Sequence, residues 1–121
     1  MTEAASFLGV PWVLTGGVDV AGWESMPPSA TFADGRVAGT TGCNRFTPEY
    51  ALDGEALQIG PIASTKMACI PPADEVERAY LDALGRVAGW RTDDSDLVLV
   101  DGDYTELLRY RAAALRDRVA G

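Results

Sequence analysis

Ala30-Thr31-Phe32-Ala33-Asp34-Gly35-Arg36-Val37-Ala38-Gly39-Thr40 is the stretch that decides how this chain folds. Two short runs flank Asp34-Gly35, a dipeptide that favours a tight hairpin because both residues tolerate positive φ. The stretch therefore predicts two antiparallel strands. Outward along the chain the signal recurs. Asp53-Gly54 separates Glu49-Tyr50-Ala51-Leu52 from the alternating Ala56-Leu57-Gln58-Ile59-Gly60. Asp101-Gly102-Asp103 separates Leu97-Val98-Leu99-Val100, a continuous apolar run suited to a strand buried on both faces, from a return strand over Tyr104–Tyr110. Trp12-Val13-Leu14-Thr15 reads as a first strand ended by Gly16-Gly17, and Trp90-Arg91-Thr92 as the beginning of another. Gly42 to Thr47 reads as a loop or a bulged strand, and residues 18–29, with Trp23 and Met26-Pro27-Pro28, as irregular.

One helix is predicted, from Asp74 to about Ala88. Val76, Ala79, Tyr80, Ala83, Leu84 and Val87 recur at helical spacing and form a single apolar stripe. Asp74 is placed to cap its start, with Glu77 three positions on, and Gly89 to stop it. Gly85 then falls inside, at a cost of about 1 kcal/mol against alanine. The stripe needs a surface to cover, and a bent sheet supplies one. The expected class is α+β: a strongly curved antiparallel sheet, a partial barrel of about seven strands, with the helix over 74–88 packed across it.

The chain has 121 residues and a mass of 12.8 kDa, which fits one domain over 1–121, with residues 112–121 expected as a C-terminal tail. A hydrophobic share of 47% against 23% charged argues for a packed globule rather than disorder. No apolar run reaches the roughly 18–20 residues of a membrane helix. There is no histidine, which removes the serine and cysteine triads that depend on one, histidine-ligated metal and a histidine general base. The net charge of −8 repels phosphate backbones, so nucleic acid is not an expected partner. No basic residue precedes Arg36, whereas Arg109, Arg111, Arg116 and Arg118 crowd the C-terminal end, a pattern that reads as a solvated face or as a docking surface for an acidic partner or anionic lipid. Met1-Thr2-Glu3-Ala4 carries no secretory pattern, so the chain as it stands is expected in the cytoplasm, or in the cell envelope if a leader has been removed. A monomer is expected.

Cys43 and Cys69 are the only cysteines. They are not a C-x-x-C pair and cannot complete a zinc site alone. They allow one bridge, worth roughly 3–4 kcal/mol by loop entropy, or two packed thiols in a reducing compartment.

Gly39-Thr40-Thr41-Gly42-Cys43-Asn44-Arg45-Phe46, then Tyr50, Leu57-Gln58-Ile59-Gly60, Ala63-Ser64-Thr65-Lys66-Met67-Ala68-Cys69, a helix carrying Glu77 and Leu97-Val98-Leu99 form an ordered series. It resembles the META domain, also called the HslJ-like heat-shock protein family, over about residues 12–110, with Trp12 opening the first strand. The resemblance implies a curved antiparallel sheet with one helix, no settled catalytic mechanism, and a bacterial, stress-related setting in which many members are exported. Gly42, Cys43, Asn44, Arg45, Phe46, Ser64, Thr65, Met67 and Cys69 are then motif residues with structural roles. Gly39 and Gly42 would allow positive φ or a bulge, Asn44 would hold the turn, Phe46 and Tyr50 would point inward, and Ser64 and Thr65 would cap backbone donors on the way to the helix. Each cysteine sits at the centre of one block, which brings the two together as thiols or as a disulfide.

Three functional classes follow. A binding module would use an apolar cleft lined by Trp23, Met26 and Trp90, set against the plainer reading of these residues as core or surface. An enzyme would draw on Asp93, Asp94, Asp96, Asp101 and Asp103, but aspartates at hairpin ends face water and repel one another. Asp101 and Asp103 offer oxygens to calcium without EF-hand spacing. Cys43 as a nucleophile would have only Arg45 or Lys66 to activate it. A protein inhibitor would act through the 18–29 loop. The expectation is a non-catalytic META/HslJ-like domain, with no cofactor or metal, in a stress-related binding or interaction role toward a protein or a small apolar ligand. The alternatives are an apolar-ligand binder of the envelope and an inhibitor acting through residues 18–29.

Overall fold

A computed structural model of the chain describes residues 6–63, 65 and 68–113. Among these described residues nine strands form one antiparallel sheet: β1 (Trp12–Gly16), β2 (Ser29–Ala33), β3 (Arg36–Thr40), β4 (Arg45–Phe46), β5 (Tyr50–Asp53), β6 (Ala56–Ile59), β7 (Gly89–Asp93), β8 (Asp96–Val100) and β9 (Glu106–Ala112). The spatial order is β4-β3-β2-β1-β9-β8-β7-β6-β5. The class expected from sequence is the class observed, with more strands. The extra ones come from the two stretches that read ambiguously, Gly42–Thr47, which holds β4, and Trp90–Thr92, which lies in β7.

Connectivity dictates the curvature. β4 and β5 lie at opposite ends of the strand order, yet only residues 47–49 join them. The sheet has to curl until its ends meet. The seam is sutured by Val37 N–H to Pro48 C=O at 2.8 Å, Tyr50 N–H to Gly35 C=O at 3.0 Å, and an antiparallel bridge between Arg36 and Glu49. Bringing the ends together also shortens the exposed edges that invite stray pairing.

Hairpin chemistry behaves as the residues require. Asp34 and Gly35 both have positive φ, 54° and 78°, in the two-residue turn between β2 and β3. A hairpin that carried no Asp-Gly signal joins β7 to β8 through Asp94-Ser95, with Asp94 at φ 60°. Gly39 does not have positive φ. Its role is close approach, since a Cβ there would be driven into the Ser29 carbonyl and would lie 3.0 Å from the Phe46 ring. Gly42 does adopt positive φ, 99°.

α1 (Ala73–Gly85) is shorter than the periodicity predicts. Gly85 is its last residue rather than an interior one, and the chain turns away at Arg86, whose N–H bonds to Ala83 C=O. Its N-cap is Pro72, two residues before the expected Asp74, whose carboxylate accepts from the neighbouring Glu75 N–H at 2.8 Å. Asp74 and Glu75 still sit in the first turn, where the helix dipole favours them.

The core lies between the concave face of the sheet and α1. Val76, Tyr80, Ala83 and Leu84 from the helix join Trp12, Leu14, Phe32, Val37, Phe46, Leu97, Leu99, Leu108 and Tyr110 from the strands. The Tyr80 and Tyr110 hydroxyls meet at 2.7 Å, and the Tyr80 ring stands edge-on to Phe46 at 5.8 Å. Burial raises the pKa of both tyrosines. Phe7, ahead of the first strand, is also core: it packs on Phe32 and Trp90, and its carbonyl accepts the Trp12 indole N–H at 3.0 Å. Ala112, expected in a tail, pairs with Trp12 at the end of β9, and residues 114–121 lie outside the described residues. Among the described residues no helix is long and apolar enough to cross a membrane.

Candidate functional site

The turn between β3 and β4 is built on hydroxyls and one amide. Thr41 N–H bonds to Asn44 C=O at 2.9 Å, and the Thr41 hydroxyl oxygen accepts from the N–H groups of Cys43 and Asn44. This local competition for backbone groups is what Thr and Asn do well. It folds residues 41–44 into a knuckle at the far end of β3 from the seam, facing Thr65, Cys69 and the helix's first turns.

Asn44 binds three segments together. Its Oδ1 accepts from the Thr65 hydroxyl at 2.8 Å, and its Nδ2 donates to Glu77 Oε1 at 2.9 Å and Oε2 at 3.2 Å. Nδ2 also approaches Cys69 Sγ at 3.8 Å. The Thr65 hydroxyl oxygen accepts from Arg45 N–H at 3.0 Å, and Thr65 N–H bonds to Arg45 C=O at 3.1 Å. Thr65 therefore caps a backbone donor, as expected, and the donor it caps belongs to β4. Glu77 does not fold back on the helix N-terminus as a capping box would. Its carboxylate takes hydrogen bonds from Asn44 and from the Thr41 hydroxyl, the latter at 2.7 Å. Asn44 and Thr41 are the only polar residues among the described ones that are buried.

Cys43 and Cys69 lie beside this network as a disulfide, with Cα atoms 6.2 Å apart. Ligand atoms of Cys43, Cys69 and Glu77 all fall within 4.8 Å of one another, the only such trio of cysteine and carboxylate groups among the described residues. Of the motif residues, the structure unites Gly42, Cys43, Asn44, Arg45, Thr65 and Cys69, and sends Phe46 into the core at 1% exposure. Ser64 and Met67 lie outside the described residues, as does Lys66. Thr41 and Glu77 were in view in the sequence, one inside the first block and one on the helix. Their meeting was not, because 36 positions separate them.

Next to the knuckle, the 18–29 loop and the start of α1 enclose an apolar cleft of about 170 Å3. Gly22, Trp23, Met26, Gly42, Pro72 and Val76 contribute to its wall. Trp23 belongs to a single 3-10 turn, Trp23–Ser25. Met26 is 62% exposed and Ile70, just before the helix, 80%. Trp90 does not join Trp23 and Met26 as the sequence suggested. It packs on Phe7 at 4.8 Å and donates its indole N–H to Gly54 C=O.

The aspartates do not converge. Asp93 and Asp96 flank the Asp94-Ser95 turn and each meets the Arg109 guanidinium at 3.0 Å. Glu106 joins them, and its hydrogen bonds from Arg109 hold its pKa below the usual glutamate range. Arg111 also reaches Asp96, at 3.6 Å. The C-terminal arginines that looked available for an acidic partner are thus partly spent inside the molecule, and Arg116 and Arg118 lie outside the described residues. At the other end of β8, Asp101 Oδ1 accepts the N–H groups of Asp103 and Thr105, so this carboxylate caps its own turn.

The META domain family matches residues 5–114, and the chain belongs to that family. The fold is shared with a protein from Burkholderia xenovorans solved by NMR, at 24% identity and a TM-score of 0.69, over 93% of this chain and 95% of that one. It is shared also with a DUF4847 family protein from Bacteroides vulgatus, at 17% identity and a TM-score of 0.64, over 88% of this chain and 94% of that one. No curated protein matches the chain.

Proposed function

We propose that this META domain is a non-catalytic binding module that takes up one apolar group, free or on a peptide, in the cleft between the 18–29 loop and the start of α1. The cleft itself carries the reading. Its volume of about 170 Å3 is mostly bounded by apolar groups. That is close to the ~150 Å3 of an engineered apolar cavity that accepts benzene. Met26, on the wall of the cleft, is largely exposed and so open to a ligand. The non-catalytic part of the proposal is supported by the dispersal of the acids: those nearest one another are neutralised by Arg109 or used in a turn. The stress-related setting is carried over from the family resemblance and forms part of the proposal.

Burying one branched or aromatic side chain contributes only about 1.5–3 kcal/mol, so isolated fragments bind weakly. Toluene and N-acetyl-leucinamide stand for the free and the peptide-borne group. Titrated into 15N-labelled protein, either is expected to shift the Trp23 indole and Gly42 amide resonances. Met26→Asp is expected to weaken that response at least tenfold. Resonances unmoved by both probes would remove this reading.

A further inference from the structure

We propose that the Cys43–Cys69 pair and Glu77 form a redox-gated site for a thiophilic divalent cation of the zinc class, closed when the cysteines are bridged and opened when they are reduced. This stands apart from the cleft and does not depend on what the cleft binds.

The donors are already gathered. One ligand atom from each of Cys43, Cys69 and Glu77 lies within 4.8 Å of the others, and all three residues are half-buried. A tetrahedral ion bound at about 2.3 Å from sulfur and about 2.0–2.2 Å from a carboxylate oxygen requires donors that can close to roughly 3.5–4 Å of one another. Only small side-chain rotations are needed once the S–S bond is gone. Two thiolates and a carboxylate are a soft-biased set, which favours zinc over calcium or magnesium. The fourth position is left to water.

The surroundings are those of a held ligand rather than a loose surface acid. Thr41 Oγ1 and Asn44 Nδ2 both donate to Glu77 Oε1, at 2.7 and 2.9 Å, and fix the carboxylate's orientation. Such outer partners are what metal carboxylates require. Asn44 Nδ2 is also directed at Cys69 Sγ, at 3.8 Å, where it would steady a thiolate. Asn44 in turn is held by Thr65. The net charge of −8 favours approach of a cation.

The chemistry balances. Reduction adds two electrons and two protons to the S–S bond, taken from a dithiol that leaves as its own disulfide. Binding of the cation then forms two metal–sulfur bonds and one metal–oxygen bond, and releases both thiol protons to solvent.

Cobalt(II) is the probe, because its bonds to thiolate give charge-transfer absorption. The protein is reduced with a trialkylphosphine, which leaves as its oxide with oxygen taken from water, and is then desalted without air. Reduced protein is expected to bind one equivalent of cobalt with a thiolate charge-transfer band that zinc abolishes. The oxidised protein is expected to show none. Glu77→Gln keeps an oxygen to accept from Thr41 and Asn44 but loses the charge, and is expected to bind at least tenfold more weakly with an unchanged circular dichroism spectrum. Cys43→Ser is expected to lose most of the band. Should that variant fail to fold, the oxidised wild type remains the thiol-free control. The proposal is overturned if the reduced protein gives no charge-transfer band, if it unfolds on reduction, or if Glu77→Gln binds cobalt as tightly as the wild type.

Discussion

Asn44 and Arg109 each sit at the centre of a polar network, and the two networks differ in kind. Arg109 makes four hydrogen bonds, to Asp93, Asp96 and both oxygens of Glu106. Its partners lie 3, 13 and 16 positions away, on β9 itself and at the neighbouring β7–β8 hairpin, and its side chain remains 26% exposed. Asn44 is 3% exposed, and its side-chain partners Thr65 and Glu77 lie 21 and 33 positions away on separate segments. Water competes for every bond that Arg109 makes, whereas the Asn44 amide is itself out of water's reach and depends on the partners it has. The surface cluster can lose a member and rehydrate. The buried amide is a closure that ties β4 to Thr65 and to α1.

Removing Asn44 should show that contrast at its largest. Asn44→Ala leaves the Thr65 hydroxyl without its acceptor and Glu77 with the Thr41 hydroxyl but no amide as donor, for an expected loss of about 2–3 kcal/mol in urea unfolding. Asn44→Asp should be comparably damaging, because it keeps an acceptor for Thr65 but sets a second carboxylate against Glu77. A loss under about 1 kcal/mol for both would mean that burial does not set this network apart.

A single buried hydrogen bond gives an intermediate case. Tyr80→Phe removes one hydroxyl and leaves that of Tyr110 unpaired at full burial, for an expected cost of about 1–2 kcal/mol. The tyrosines also carry a pH signature. Their folded pKa values are raised by burial, so their contribution is complete below the ordinary tyrosine range near 10 and is lost as pH rises beyond it. Alkaline unfolding followed by tyrosinate absorbance should therefore show both hydroxyls ionising together with loss of structure, and the variant should change that midpoint.

Arg109→Ala is expected to be the mildest, at about 1 kcal/mol or less near neutral pH. Its diagnostic is again pH. Glu106 has a depressed pKa in the folded protein because Arg109 bonds to it, so this stabilisation is present above the ordinary glutamate range and fades as pH falls through the folded value. The wild type should lose stability across that acid window more steeply than Arg109→Ala, as read from thermal melts at successive pH values. Parallel curves would deny the cluster its electrostatic role.

Part of the Arg109 cluster also explains how a residue on the outer face of the sheet comes to be buried. Val98 is fully buried yet does not belong to the main core. It faces outward, and the register sets Arg91 on one side of it and Arg109 on the other. Long arginine stems cover apolar surface while their heads stay with the acids. The continuous run Leu97–Val100 announced a strand buried on both faces, and it is one, although its outer cover is arginine.

Local chemistry was legible without coordinates wherever the determinant lies within a few residues. Asp34-Gly35 implies its hairpin because backbone sterics act locally, and the spacing of Val76, Tyr80, Ala83 and Leu84 implies a helix with one wet face. The curled antiparallel sheet under that helix follows from those elements and from the family blocks around Cys43 and Cys69. What depended on distance in the chain was decided only in three dimensions. Phe7 became core, Trp90 parted from Trp23, the aspartates met arginines instead of one another, and Glu77 turned from its own helix to Thr41 and Asn44. In each case a side chain had several partners of similar chemistry available, and the strand register and the packing of α1 on the sheet selected the one within reach.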